Sequence, residues 1–389
     1  MKRVLLLAWR YVVYHKVKTA ILTICLTLTI VLPLTAHMLI TYYGESLMSR
    51  AAATPLIVGA KGNRFDLVLK TLYFGSAELD PVYVSEVETL RSGGLGRPIP
   101  LHLLYTTREY PLVGTSLDYF EFRKLRVADG TVPLRLGEAL LGSQVAADLQ
   151  LRPGDHLFSD QQSVYDITKT YPLKMHIAGV LAESNSPDDR AVFVDLKTAW
   201  IIGGIMHGHQ DVVDEADANI ILDRTDEEVT TNDAIVEYNE VTPENIQTFH
   251  THAKPDELPL SAIIVQPYDQ KSATLLKARY GLSKFNCLLV PRDVVEELMS
   301  LVFKVKRFFD ASFGLVAVST ALFLILVILL SKRIRKREME TMLRIGCSRM
   351  TAFWLQAGEL GIVLVISLGL AGVLSVTIVL AAPLFVRLL

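Results

Sequence analysis

Two histidine pairs, His207-Gly208-His209 and His250-Thr251-His252, are the side chains here best suited to binding a metal. The chain has 9 histidines, so these pairs concentrate nearly half of them. An H-x-H pair on a strand projects both rings from one face, because side chains alternate with period two. Neutral imidazoles and carboxylates together suit zinc, and Asp211, Asp214, Glu215 and Asp217 follow the first pair. The spacing therefore allows a zinc site drawn from His207, His209, His250 and His252. It equally allows two solvated polar loops, since a linear sequence does not bring the pairs together.

Other chemistries lack their residues. Gly59-Ala60-Lys61-Gly62 is the nearest approach to a phosphate loop. A nucleotide-binding loop needs G-x-x-x-x-G-K-[ST], whose backbone amides and helix N-terminus cradle the phosphates. Here Asn63 follows Gly62, and the stretch reads as a turn. No G-x-S-x-G or H-E-x-x-H occurs. The chain is expected not to be an enzyme and to hold no organic cofactor. A net charge of −2 gives no sign of nucleic-acid binding.

The most unusual stretch is SKRIRKREMETMLRIGCSRM, residues 331–350. Read as a helix, it puts Met339, Met342, Leu343 and Gly346 on one face at spacings of three and four. Gly346 suits a helix C-cap and Ser348 the start of a following helix. A basic loop that only fixes membrane orientation would need the cations, but neither the apolar stripe nor the placed glycine.

The elements around this stretch are strongly apolar. Mean hydropathy is +0.34 and 51% of residues are hydrophobic, yet 21% are charged, so oily and polar territories are separate. Residues 19–44, 311–330 and 360–386 carry no charge, with His37 neutral. About twenty apolar residues rising 1.5 Å each cross a hydrocarbon layer of roughly 30 Å. Three spans are predicted, over 18–44, 306–331 and 352–386. The first has no A-x-A-like site after it and reads as a retained anchor. Lys2, Arg3, Arg10, Lys16 and Lys18 precede it, and Lys332, Arg333, Arg335, Lys336, Arg337, Arg344 and Arg349 follow the second. Both clusters are expected on the cytoplasmic side, which places residues 45–305 outside and the C-terminus, after a third crossing, outside as well. Residues 1–17 read as an amphipathic helix on the inner membrane face with Trp9 and Tyr11 at headgroup level, or else as an ordinary basic flank. Cys25, Cys287 and Cys347 fall in three compartments of this map, so no intrachain disulfide is expected.

The outer segment reads as mixed α/β. RPIPLHLLYTTREYPLVGTS, YPLKMHIAGVLAE, Ala191–Val194, LPLSAIIVQP and FNCLLVP are strand-like. GEALLGSQVAADLQLRPGDHL reads as a short helix, a turn at Arg152–Asp155 and a strand. DQKSATLLKARYG reads as a helix capped by Gly281, and RDVVEELMSLVFKVKRFFD as a helix running unbroken into the second span.

Against this background RKREMETMLRIGCSRMTAFWLQAGELGIVL resembles the coupling region of MacB/FtsX/LolC-type (type VII) ABC transporter permeases. In that family R-E-[IM]-x-x-[LM]-[RK]-x-x-G-[AC]-[ST]-[RK] precedes a span opening with a glutamate. The corresponding positions are Arg337, Glu338, Met339, Met342, Leu343, Arg344, Gly346, Cys347, Ser348, Arg349 and Glu359, with Leu343 standing where the pattern has its basic residue and Arg344 one position later. LVGTSLDYFEFRKLRVADG, ALLGSQVAADLQLRPGD and GVLAESNSPDDRAVFVDLKTAW are similar to its periplasmic domain.

The resemblance implies an integral membrane α-helical protein with a large mixed α/β periplasmic domain between spans 1 and 2. That domain would be porter-like over 45–120 and 220–305, with a Sabre-like insertion over 120–220. A separate cytoplasmic ABC ATPase dimer would use ATP and dock on a coupling helix within 332–350. Mechanotransmission would carry the motion outward in the bacterial inner membrane, for export or extraction of a lipophilic or peptide substrate. A second permease copy or paralogue, and a periplasmic protein, are the further partners implied. FtsX-like signalling, or a membrane-anchored sensor linked to a metal, are the alternative readings. The family has four spans and a cytoplasmic C-terminus, whereas three are predicted here, so the chain is expected either to be a shortened gene product or to have the fourth place filled by another subunit.

Overall fold

A computed structural model describes residues 2–133, 135–160, 172–208, 221–224, 229–231, 239–334, 340, 341, 344, 346 and 348–386. They fall into two units, Met1–Met48 with Glu297–Leu389, and Ser49–Glu296. Helices α1 (Lys2–Tyr14) and α2 (Lys16–Ala52) open the chain, and α2 leads directly into the second unit, a sheet domain.

The sheet domain begins with β1 (Leu56–Ala60), α3 (Arg64–Tyr73), β2 (Val82–Tyr83), α4 (Val84–Ser92), β3 (Gly96–Thr107), β4 (Tyr110–Thr115) and α5 (Asp118–Arg123). Next come β5 (Val127–Gly130), β6 (Glu138–Leu141), α6 (Ser143–Leu149), β7 (His156–Phe158), β8 (Leu173–Leu181), a 3-10 turn (Pro187–Arg190), β9 (Val192–Asp195) and α7 (Leu196–Ile202). Short strands follow, namely β10 (His207–Gly208), β11 (Ile221–Arg224), β12 (Val229–Thr231), β13 (Asn239–Glu240), β14 (Phe249–His250) and β15 (Pro259–Leu260). β16 (Ala262–Pro267), α8 (Gln270–Leu282) and β17 (Asn286–Leu289) complete the domain.

One mixed sheet runs β13-β8-β6-β9-β4-β3-β16-β1-β17, with β5 and β7 also pairing with β8. Along β8 burial alternates, with Leu173, Met175 and Ile177 inside and Lys174 and His176 more exposed. This is the period-two pattern of a strand with one wet face. By contrast Ile57–Val58, Val192–Val194 and Ala262–Val265 are buried at every position, as expected where helices cover both faces. β3 and β4 are joined by Arg108 and Glu109, both with positive φ (49° and 68°). Two consecutive left-handed residues suit the twist of a tight hairpin, and here no glycine relieves them. Asp160 compensates by accepting from the backbone amides of Arg108 at 2.8 Å and Glu109 at 3.2 Å.

Two local expectations are corrected. Glu138–Leu141 is a strand, because it pairs with both β8 and β9. The helix starts only at Ser143, after Gly142, where a Cβ would lie 2.4 Å from the carbonyl oxygens of Asp188 and Asp189. Gly281 does not cap α8. The helix continues to Leu282 and ends at Ser283 in extended backbone, so no left-handed residue is required there.

The chain then enters α9 (Pro291–Ile334) and, later, α10 (Arg349–Val386). Among the described residues three helices are long and apolar enough to cross a membrane, over Lys16–Ala52, Pro291–Leu330 and Phe353–Ala382. α1 packs on α10, burying Ala8 completely, and Gly358 permits this: a Cβ there would lie 3.2 Å from that of Ala8. α2 and α10 are tied by Lys18 Nζ to Glu359 Oε1 at 2.8 Å, Ser367 Oγ to the Thr23 carbonyl at 3.3 Å, and Thr35 Oγ1 to Ser375 Oγ at 3.1 Å. Thr29 and Thr320 join α2 to α9 at 3.1 Å. Small residues and hydroxyls are the usual cement where lipid removes the hydrophobic incentive between helices.

Candidate functional sites

Three places are candidates. The first is the end of the sheet that carries the last turn of α2 and the first turn of α9. β1 follows α2 after three residues and β17 precedes α9 by one, and these two strands are antiparallel neighbours with Ile57 opposite Leu289. Antiparallel pairing brings the start of β1 to the end of β17. The last turn of α2 and the first turn of α9, both within the sheet unit, therefore lie at the same end of adjacent strands.

Arg50, in the last turn of α2, holds that turn within the sheet domain. Its Nη1 donates to Asp188 Oδ2 at 2.7 Å, and its Nη2 donates to Asp188 Oδ1 at 3.0 Å and to the Tyr119 hydroxyl at 3.1 Å. Nε donates to the Leu72 carbonyl. Tyr119 Oη donates to Asp188 Oδ1 at 2.7 Å. Arg50 is 8% exposed and Asp188 1%. Burial alone would raise the Asp188 carboxyl pKa, but the hydrogen bonds and charge of Arg50 hold it below the ordinary carboxylate range. The fork of a guanidinium on a carboxylate is both strong and directional. Asp188 itself is placed by a capping box, in which Ser186 accepts from the Asp188 amide and Asp189 accepts from the Ser186 amide. None of Arg50, Tyr119 and Asp188 was singled out by sequence. The Ser186-x-x-Asp189 spacing of a capping box was the one available signal.

The second place is the predicted coupling stretch. Arg337, Glu338, Met339, Met342, Leu343 and Cys347 lie outside the described residues. Arg344 is helical and exposed, and Gly346 has φ +99°. Ser348 Oγ accepts from the Thr351 amide at 3.1 Å, at the start of α10.

The third is the histidine pairs. β10 and β14 form a two-stranded antiparallel ladder in which His207 is the register partner of His250. His250 Nε2 lies 3.2 Å from His252 Nε2 with the rings edge to face, and His250 Nδ1 lies 2.8 Å from the Thr248 carbonyl oxygen. His209 lies outside the described residues, as do Asp211, Asp214, Glu215 and Asp217. A separate cluster sets His176 Nε2 and Lys174 Nζ each 3.0 Å from Glu240 Oε1. Cys25 and Cys287 carry free thiols.

Two solved structures to which this chain is similar are the periplasmic region of MacB from Actinobacillus actinomycetemcomitans and the extracellular domain of the noncanonic ABC-type transporter YknZ from Gram-positive bacteria. The first gives a TM-score of 0.35 at 11% identity, covering 65% of this chain and 97% of that one. The second gives 0.31 at 12% identity, covering 60% and 98%. At TM-scores below 0.5 neither likeness bears on function. The sequence matches no family model and no curated protein.

Proposed function

We propose that this chain is the membrane-spanning permease subunit of a type VII-like ABC transporter and that it takes its work from a separate cytoplasmic ATPase dimer. The observation that carries this reading is that the last turn of α2 and the first turn of α9 lie at one end of the β1/β17 pair, the former held by Arg50. Two uninterrupted helices that enter adjacent strands make a lever. A relative shift of the helices must displace the two strands, because a helix is stiff along its axis and the pairing register allows no slip of a single residue without reversing faces. α9 continues to Ile334, into the basic stretch, so a motor gripping Arg337–Ser348 would pull close to its end.

The lack of a phosphate loop supports a division of labour between motor and transmitter. The flanking cations support a cytoplasmic coupling stretch and a sheet domain on the opposite side of a bacterial inner membrane. None of the most apolar stretch of α9 is buried within the chain, which leaves its surface for lipid and a second permease subunit. A lipophilic or peptide substrate, exported or extracted outside the membrane by mechanotransmission, is the cargo such an arrangement suits.

Leu343→Asp tests the coupling. It puts a charge into the apolar docking stripe, and burying an unpaired charge costs on the order of several kcal/mol. The variant is expected to reach the membrane normally and to lose both co-purification of an ATP-hydrolysing subunit and coupled ATP turnover. Unchanged turnover in the variant, or a native chain that never associates with an ATPase, overturns the reading and leaves a membrane-anchored sensor.

A further inference from the structure

Within the membrane unit a cavity of about 710 Å³ opens beside the corner between α1 and α2, a size typical of ligand-binding cavities. His15, Lys16, Lys18, Ile21 and Leu22 line it from that corner and the first turns of α2, and Phe323 and Val327 line it from α9. Its charged and apolar walls are separated along the helix. From Lys16 to Leu22 an α-helix rises about 9 Å. That exceeds the headgroup layer of roughly 5–8 Å on each side of a bilayer. Where α2 and α9 cross a membrane, the basic corner therefore meets headgroups while Ile21, Leu22, Phe323 and Val327 meet hydrocarbon.

The chemistry of the two walls selects the occupant. Lys18 Nζ is held by Glu359 Oε1 at 2.8 Å, which offsets its charge. Lys16 is exposed and makes no ion pair among the described residues. The His15 ring beside it is steadied by Tyr11 and Tyr14, at centroid separations of 4.2 and 5.0 Å, and supplies an N–H donor. A phosphate at this corner would gain a charge-assisted bond from the Lys16 ammonium. Free phosphate would leave Ile21 and Phe323, 52% and 43% exposed, uncovered. A wholly apolar occupant would leave Lys16 without an anion. A phospholipid satisfies both walls. A zwitterionic one brings the same tails, but its own cation competes with Lys16 for the phosphate.

We propose that this cavity binds one anionic phospholipid, with its phosphate on Lys16 and His15 and an acyl chain along Ile21, Leu22, Phe323 and Val327. Basic pockets between membrane helices are a recurring way of holding acidic headgroups. The site requires only that α2 and α9 cross a membrane, so it stands whether or not a motor drives the chain. It differs from loose attraction of a basic flank to an acidic surface, in which Arg10, exposed on α1 and outside the cavity, would count as much as Lys16.

The test uses the full chain in vesicles of phosphatidylcholine and phosphatidylglycerol, with Phe323→Trp as reporter and Trp9, Trp200 and Trp354 replaced by Phe. Phosphatidylglycerol with brominated chains is expected to quench the reporter at a lower mole fraction than brominated phosphatidylcholine. Lys16→Gln should cut that preference about fivefold, the equivalent of ~1 kcal/mol for one cation at an acidic membrane surface. Arg10→Gln should leave it unchanged. A second measurement needs no reporter: after extraction of the unaltered chain from equimolar vesicles into detergent, the lipid it retains, read by mass spectrometry, should be enriched in phosphatidylglycerol. Lys16→Gln should lose that enrichment. Equal quenching by the two lipids overturns the site, as does quenching by neither, the result expected if a second copy of the chain covers the cavity. Equal losses in Lys16→Gln and Arg10→Gln overturn it too.

Discussion

Tyr119, Phe193 and Ile57 are wholly enclosed in the sheet domain, whereas Leu315, Leu322 and Leu326 of α9 leave most of their surface bare. The sheet domain excludes water from a continuous apolar core and gains roughly 25 cal/mol per Å² in doing so. It can therefore carry a fully buried ion pair at the root of α2. The membrane unit gains nothing by hiding leucine from lipid. Among its described residues those wholly enclosed, Ala8, Ser367, Ala371 and Ser375, are all small, although Leu22, Val31, Leu355 and Val363 are nearly enclosed. Cohesion is thus concentrated in the sheet domain and is thin between the long helices.

The comparison is broken most sharply at Asp188. Replacing it by Ala leaves Arg50 buried without its carboxylate, which should cost about 3–5 kcal/mol. Denaturant unfolding of the full chain in detergent, read from Trp200 with Trp9 and Trp354 replaced by Phe, measures this. Arg50→Met combined with Asp188→Leu should recover most of the loss, because apolar residues of similar volume avoid the desolvation penalty. A cost under about 1 kcal/mol for Asp188→Ala would mean the lock contributes little to the domain.

A smaller effect resides at His102, which is 1% exposed and has no well-formed hydrogen bond at either ring nitrogen. Burial, helped by the charge of Lys70, pushes its pKa down to about 4 from 6.5, while the Pro259 carbonyl offsets part of this. The folded domain thus favours the neutral ring. The associated stability is fully present above about pH 6.5 and is lost as pH falls from 6.5 toward 4, where the unfolded chain takes the proton first. At ~1.4 kcal/mol per pKa unit the loss is about 3 kcal/mol. His102→Leu should flatten that part of the stability–pH curve, and an identical slope in the variant would assign the loss to other groups.

The smallest change is expected in the membrane unit. Ser375→Ala removes the hydrogen bond from Thr35 and should cost about 0.6 kcal/mol, the average for a hydroxyl pair between helices in lipid. Steric-trap unfolding in bilayers resolves such a difference. A loss as large as that of Asp188→Ala would erase the contrast between the two units.

Much of the architecture was legible in advance because it depends on short, contiguous pattern. Ala191–Val194 and LPLSAIIVQP announce buried strands by β-branched runs between turn residues, and the strands found there are Val192–Asp195, Pro259–Leu260 and Ala262–Pro267. Glu138–Leu141 misled because four residues satisfy helix and strand periodicity alike, and its pairing with β8 and β9 decided between them. Of the candidate residues, helical spacing suggested the coupling stripe, whose Met339, Met342 and Leu343 lie outside the described residues, and doubling drew attention to the histidines. Arg50, Tyr119 and Asp188 were not, since each is an ordinary residue locally.

What the sequence determined by itself is whatever composition over about twenty neighbouring residues decides: three helices able to cross a membrane, the cations beside them, and the lack of a phosphate loop. Such properties add residue by residue along the chain and need no partner. The tertiary structure alone decided that β1 and β17 are neighbours, that Arg50 meets an aspartate 138 residues away, and that His207 stands opposite His250. These depend on which distant segments pair and in what register. That choice is made by the packing of the whole sheet, and no local pattern encodes it.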